Sequence, residues 1–359
     1  MKILLTGICG FAGSTLARAL LAERTGLELV GFDNLSRRGS HLNLEPLRAL
    51  GIRIEHGDVR SASDVEALPA ADALIDCAAN PSVLAGIGPG PGSRQLVEHN
   101  LSGTLNLLEY CKRHRAAFTL LSTSRVYSIP PLAALPVTIH RGAFIPDPAL
   151  AAAGNLPPGL SPSGIAELFS TEPPVSLYGA TKRASEIMAL EYGHAFDFPV
   201  WINRCGVLAG AGQFGRADQG IFSYWIHSWA ARRPLRHIGF DGLGHQVRDC
   251  MHPADIAPLL LAQLDAPASK AAPRVVNVAG GAAAAMSLRQ LGDWCTERLG
   301  PHTVTSDPAP RPYDLPWVVL DASVADHAWG WRPRIPLSSI LEEIATHAAA
   351  HPEWLDKVS

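Results

Sequence analysis

The feature that most restricts the fold of this chain lies in its opening stretch, "MKILLTGICGFAGSTLARALL". Gly7-x-x-Gly10-x-x-Gly13 stands between the apolar run Ile3-Leu4-Leu5 and the helix-compatible residues 14–21. Three glycines alone are a weak signal, so the neighbouring pattern decides their meaning. Through about residue 127 short apolar runs alternate with longer helical stretches. "KILLTG" leads to a helix over 13–23, "LELVGFD" to one around 41–50, and "IRIEHGD" to one around 62–68. "ALIDCAA" then precedes a helix over 95–114, and "FTLLSTS" closes the series. Strands alternating with helices build a parallel sheet covered on both faces, and right-handed crossovers make it doubly wound. The expected fold class is therefore α/β.

Composition narrows the partners. At 359 residues with 47% hydrophobic residues, the chain can bury one large core or two modest ones. Thirty basic against 33 acidic residues, a net charge of -3, produce no global field for nucleic acid or an anionic membrane surface. The six cysteines, Cys9, Cys77, Cys111, Cys205, Cys250 and Cys295, include no C-x-x-C pair, so buried free thiols are expected rather than zinc ligands or disulfides. No second histidine or carboxylate stands at metal-ligand spacing from His252, and no metal is expected. The apolar run after Met1-Lys2 breaks at glycine before reaching the length of a signal segment, and no run is long enough to span a membrane. The expected location is the cytoplasm.

Residues 128–175 are rich in proline, glycine and alanine and lack a sustained period. They read as a long loop, either a lid over substrate or a surface insertion. "SLYGATKRASEIMALEYGHAF" resumes as a helix and "PVWINRCGVLAG" as a strand ending in a glycine-rich turn. The expected division assigns 1–205 and 246–278 to a dinucleotide-binding unit, and 206–245 with 279–359 to a smaller mixed α/β substrate-binding region.

A strand, a glycine turn and a helix in that order bring backbone N–H groups and a helix N-terminus close to a pyrophosphate. Asp33 ends the next strand, where its carboxylate can bridge ribose hydroxyls and repel a 2′-phosphate, which favours NAD over NADP. Arg37 and Arg38 just behind it pull the other way. Asp58, in "HGDVR", is a candidate for the adenine amino group, with a loop-capping role as the alternative.

"YGATK" puts Tyr178 and Lys182 four apart on one helix face. An ammonium beside a phenol favours the phenolate, so the tyrosine can take a hydroxyl proton near neutral pH. "LLSTS" ends a strand with Ser122, Thr123 and Ser124, where sheets of this kind place ligands. Thr123 is the expected partner of the reacting oxygen. Arg204 and Arg248 are the best local cations for a diphosphate, because a guanidinium fork matches phosphate oxygens. For Arg248 the alternative is a salt bridge to Asp249 or Asp255. Gln213, Asp218 and Gln219 lie in a glycine-rich loop, where solvated side chains are the default.

With these residues in view, the chain resembles the extended short-chain dehydrogenase/reductases over essentially its whole length. The likeness rests on the glycine start, "DNLSRRG", "HGDVR", "NLSGTLNLLE", "STSRVY", "YGATK" and "QVRDCMHPADI". Within that superfamily "FDNLSRRGS", "AGQFGRADQG" and "GHQVRDCMHPADI" are similar to the CDP-paratose (CDP-tyvelose) 2-epimerases. The resemblance implies a Rossmann fold and a catalytic triad of Thr123, Tyr178 and Lys182. It implies an NAD site formed by Gly7, Gly10, Phe11, Ala12, Gly13, Asp33, Asn34, Asp58, Val59, Ala78, Ala79 and Asn100 together with Tyr178 and Lys182. Asn100 fits a structural and ribose-side role, and Ser124, Arg125, Arg204, Gln213 and Arg248 the nucleotide-sugar side. It further implies a homodimer, with a tetramer as the alternative, built on the helices around 95–114 and 178–195. Two departures border the sugar pocket: Ser128, where relatives carry glycine, and the loop "ANPSVLAGIGPGPGSRQ".

Dehydratases of this superfamily usually carry an acidic pair directly after the threonine. Here Ser124-Arg125 follow, which favours epimerisation by oxidation of a ring hydroxyl and hydride return to the opposite face. A dehydratase or net oxidoreductase, and a non-catalytic NAD sensor, are the alternatives. An intact base argues against the sensor.

Overall fold

Seven strands carry the alternation into a single parallel sheet. In the computed structural model, which describes residues 1–87, 92–266 and 271–358, they are β1 (Lys2–Thr6), β2 (Glu28–Asp33), β3 (Arg53–His56), β4 (Ala73–Asp76), β5 (Ala117–Thr123), β6 (Val200–Cys205) and β7 (Val275–Val278). The spatial order is β7-β6-β5-β4-β1-β2-β3, with every neighbouring pair parallel. Order reverses between β1 and β4, the crevice where doubly wound sheets bind ligands. β1, β4 and β6 are almost wholly buried, because helices cover both faces. On one face α1 (Phe11–Glu23) and the helix Ile256–Leu264 bury Leu16, Leu20, Leu259 and Leu260. On the other, α2 (Gly103–His114) and α3 (Ser176–Phe196) bury Leu107, Leu108 and Ala189. The helix expected over 95–114 begins at Gly92 and widens into a π-turn over Glu98–Ser102 before α2.

A smaller sheet joins Val207–Leu208, Val247–Met251, Ala285–Ser287 and Trp317–Val318. Two segments depart from the expected division. Val247–Met251 belongs to this smaller sheet rather than to the large one, and Ala325 and Trp331 pack back into the core beneath α1.

The largest difference concerns residues 128–175. They are not a structureless loop. A hairpin pairs Val137–His140 with Ala143–Pro146, and short helices cover Ile129–Ala133 and Pro148–Ala152. Leu132, Leu135, Ala143, Leu160, Ile165 and Phe169 form one buried cluster with residues 317–320. Backbone bonds tie the segment down further, including Phe144 N to the His245 carbonyl and Ile165 N to the Val319 carbonyl, both at 2.8 Å. The segment is thus the packing layer that fastens the C-terminal strands to the first unit. Truncating Phe169, which is 3% exposed, removes a ring from that layer. The Phe169→Ala variant is expected to lose about 3–5 kcal/mol of unfolding free energy in urea. Its NAD affinity should stay close to wild type.

Candidate active site

A cavity of about 390 Å³ opens where the sheet order reverses, and the glycine turn forms one wall. Gly7 has φ +62°, and a Cβ there would stand 2.9 Å from the Ala78 backbone. At Gly13 a Cβ would collide with the Gly7 carbonyl oxygen. Only glycine permits this close approach. α1 starts directly after Gly10 with no side-chain cap, so its first amides are left for an anion. Gly7, Gly10, Phe11, Ala12 and Gly13 all line the cavity.

Asp33 lines it too. Its carboxylate accepts from Cys9 N at 2.9 Å and Leu35 N at 2.8 Å. Burial raises its pKa and those two bonds oppose the rise. Each oxygen keeps further lone-pair capacity for ribose hydroxyls. Asn34 also lines the cavity and donates to Asp58 at 2.9 Å. The Asp58 carboxyl, gripped by Arg60 Nε at 3.0 Å and Nη2 at 2.7 Å, is held well below the usual range. Gly57 and Val59 line the cavity on either side of it, whereas Asp58 secures the loop from behind. Ala78 and Ala79 complete this wall. Arg37 reaches the Phe214 carbonyl at 2.9 Å and Arg38 the Asp356 carbonyl at 2.8 Å. The glycine cradle, the uncapped helix and the acid together fit a bound NAD.

Thr123 ends β5, and its hydroxyl is hydrogen-bonded to Tyr178, in the first turn of α3. Both line the cavity, beside Ser122, Ser124 and Arg125. Burial pushes the Tyr178 phenol up to about 12. The Thr123 bond and the Arg125 guanidinium oppose that rise. This corrects the sequence-based expectation that Lys182 is the cation favouring the phenolate. Lys182 is 2% exposed and lies one turn deeper, where burial lowers its pKa and Asp76 and Glu186 raise it. Asn100, on the π-turn, accepts from Asn80 N at 2.8 Å and donates to the Asn80 carbonyl and the Thr181 hydroxyl at 3.1 Å each. It pins the loop after β4 to α3 and does not itself line the cavity.

A second cavity of about 160 Å³ adjoins the first and shares with it Arg125, Val83, Val207, Asp218, Gln219 and Gly220. Arg248 lines it, donating to Asp314 at 2.9 Å and to the Val247 and Leu315 carbonyls at 2.7 and 2.9 Å. Its carboxylate partner is thus Asp314, rather than Asp249 or Asp255. Arg311 and Tyr313 line the same cavity and went unnoticed in the sequence, where "RPYD" carries no periodicity. Gln213 lines the first cavity and donates to the Leu208 carbonyl at 2.7 Å, and Asp218 accepts from Ser82 at 2.7 Å. Residues 88–91 of the loop "ANPSVLAGIGPGPGSRQ" lie outside the described residues. Among the described residues nothing from 128–175 lines either cavity, so the segment is not a lid over them.

Arg204 lines neither cavity. The phosphate role expected of it is corrected: Nε and Nη2 bind Glu186 at 3.0 and 2.8 Å, and Nη1 reaches the Tyr127 hydroxyl at 3.3 Å. The Cys9 and Cys205 thiols are pushed by burial up to about 12, far from nucleophilic. Among the described residues no group of three His, Cys, Asp or Glu side chains could hold a metal, and no helix is long and apolar enough to cross a membrane.

Comparison with known proteins fits this geometry. The profile of the NAD dependent epimerase/dehydratase family matches residues 3–279. The chain belongs to that family. It is an NAD-dependent enzyme of the extended short-chain dehydrogenase/reductase type. The CDP-paratose 2-epimerase of Salmonella typhi is 29% identical to it over 352 residues, covering 93% of this chain and 95% of that protein. A UDP-glucuronate 4-epimerase of Thermodesulfobacterium geofontis is 24% identical over 99% of this chain and 98% of its own. In fold, the enzyme is similar to UDP-glucuronic acid 4-epimerase from Bacillus cereus, crystallised with UDP-glucuronic acid and NAD. That likeness has a TM-score of 0.75 at 24% identity and covers 98% of this chain and 99% of the other.

The ion pair behind this family site sets a clear expectation. Replacing one partner leaves a buried charge uncompensated. Glu186→Gln should lower unfolding free energy by about 3–5 kcal/mol in urea melts. It should also loosen α3 enough to reduce turnover.

Proposed function

We propose that the enzyme epimerises a nucleotide sugar by transient oxidation of a secondary ring hydroxyl and return of the hydride to the opposite face. The observation that carries this reading is the Thr123–Tyr178 pair facing the cofactor cavity, joined through Arg125 to a second cavity bearing Arg248 and Arg311. Bound NAD supplies hydride acceptance and return. Within the chain, Thr123 orients the reacting hydroxyl and Tyr178 takes its proton and later gives it back. Lys182 supports α3 from the buried side, and by resemblance it reaches the nicotinamide ribose. Arg248, assisted by Arg311, meets the diphosphate with planar forks that match phosphate oxygens. Segments 213–222, 246–248, 286–288 and 311–314 frame the second cavity, which supports a substrate role for the smaller region.

Elimination of water needs an acid and a base next to the threonine, and Ser124 and Arg125 stand there instead. The likeness to CDP-paratose 2-epimerase supports a CDP-linked deoxysugar inverted at C2. Exposed Val97, Leu177, Ile187 and Phe196 on the outer helices support a homodimer built on those faces.

NMR of CDP-, UDP-, GDP- and dTDP-sugars incubated with the enzyme should show stereochemical inversion of a CDP-sugar, without a 4-keto-6-deoxy product and without NADH accumulating at 340 nm. Tyr178→Phe should lower kcat about 10²–10⁴-fold while leaving NAD content unchanged. Steady accumulation of NADH with turnover would instead mark a net oxidoreductase.

A further inference from the structure

Arg125 stands where the two cavities meet, and of the residues lining both it is the one cation among those described. It is fastened at three points. Its backbone N–H donates to the Thr123 hydroxyl at 3.2 Å. Its carbonyl oxygen packs so tightly on Gly179, the residue after Tyr178, that a Cβ there would collide with it. Its Nη1 donates to the Tyr313 carbonyl at 3.2 Å. Arg125 is therefore built into the same local frame as both members of the proton-transfer pair. A substrate whose hydroxyl meets Tyr178 and whose phosphates meet Arg248 and Arg311 must pass Arg125 with the sugar that joins them.

We propose that Arg125 is a positioning residue for proton transfer: its guanidinium, locked at the cavity junction, keeps Tyr178 ready to accept the hydroxyl proton and lies against the sugar. The part played by the sugar rests on the epimerase reading above. The groups acting on the phenol are Arg125 and the Cys205 thiol, with Lys182 on its own helix turned toward Asp76 and Glu186. Those acting on Arg125 are Arg248 and Arg311, which oppose its charge, and Asp314 and Tyr178, which favour it. Burial and the neighbouring arginines bring Arg125 down to about 10, so the cation is present throughout the physiological range. Removing it takes away the one cation that favours the phenolate, so Tyr178 ionises at higher pH.

The test uses NAD-loaded enzyme and the variants Arg125→Gln and Arg125→Lys. Tyr178 ionisation is read by ultraviolet difference titration against Tyr178→Phe, which needs no substrate. The midpoint should rise by about one pH unit in the Gln variant and return close to wild type in the Lys variant, which restores the charge. With substrate, the acidic limb of kcat/KM should move in the same direction. KM for the nucleotide sugar should rise roughly 10-fold in both variants, because an ammonium cannot reproduce the planar fork. An unchanged midpoint in Arg125→Gln overturns the proposal. So does a folded Arg125→Lys with its midpoint displaced a full unit, which also decides the matter if the Gln variant does not fold. Absence of turnover on every sugar tested would refute the epimerase reading, while the phenol titration would still judge Arg125.

Discussion

The site depends on one buried carboxylate. Glu186, with no exposed surface, accepts from Ser122 on β5 at 2.6 Å, from Arg204 on β6 at 3.0 and 2.8 Å, and from Arg183 at 3.1 Å. An ionised carboxylate survives in such a place only when its lone pairs are taken up by charged and hydroxyl donors. Satisfying them fixes α3 both along its axis and in rotation against two neighbouring strands. Tyr178, about two turns toward the N-terminus on the same face, is thereby delivered to Thr123. Lys182 lies between them, buried against Asp76 and Glu186. The geometry of proton transfer is set from behind, by charges that never meet the substrate.

That arrangement explains which parts of the molecule could be read from the chain. The seven-stranded sheet and its helices follow from local periodicity, and the positions at strand ends follow from topology, so the glycine turn, Asp33 and Thr123 fall where alternation places them. Residues 128–175 have no such period. Leu132, Leu160, Ile165 and Phe169 are buried at irregular spacing against residues 317–320, more than 140 positions away, and the prolines between them conceal the contact. Arg204 and Arg125 show the same limit at single residues. Both are cations near the ends of central strands. Which one reaches a cavity depends on where Glu186 lies on a helix, and no spacing rule within either strand encodes that. Arg311 sits in a loop whose only local signature is proline.

The distribution of charge also separates recognition from chemistry. Asp33 and the free amides of α1 occupy one end of the joined cavities, Arg248 and Arg311 the other, and Thr123, Tyr178 and Arg125 lie between. An elongated ligand carrying phosphates at its far end would be held by both extremities. The middle would be left to align one hydroxyl. Such alignment converts binding energy from remote groups into orientation at the reacting centre.

The high proton affinity of Tyr178 fits a reaction that must run backwards in every turnover. A phenol pushed up to about 12 is scarce as the phenolate but takes a proton strongly once ionised. Stabilising the phenolate fully would ease the first transfer and hinder the second, since the same proton must return when the hydride comes back. A base whose affinity is raised by burial and moderated by one guanidinium and one hydroxyl avoids either extreme. A dehydratase faces a different demand, because it must commit a proton to departing water, and an acidic pair beside the threonine meets that need. In this chain the equivalent place holds a hydroxyl and a cation, which can neither protonate water efficiently nor abstract a carbon-bound proton. They can only hold charge steady while a single proton moves out and back.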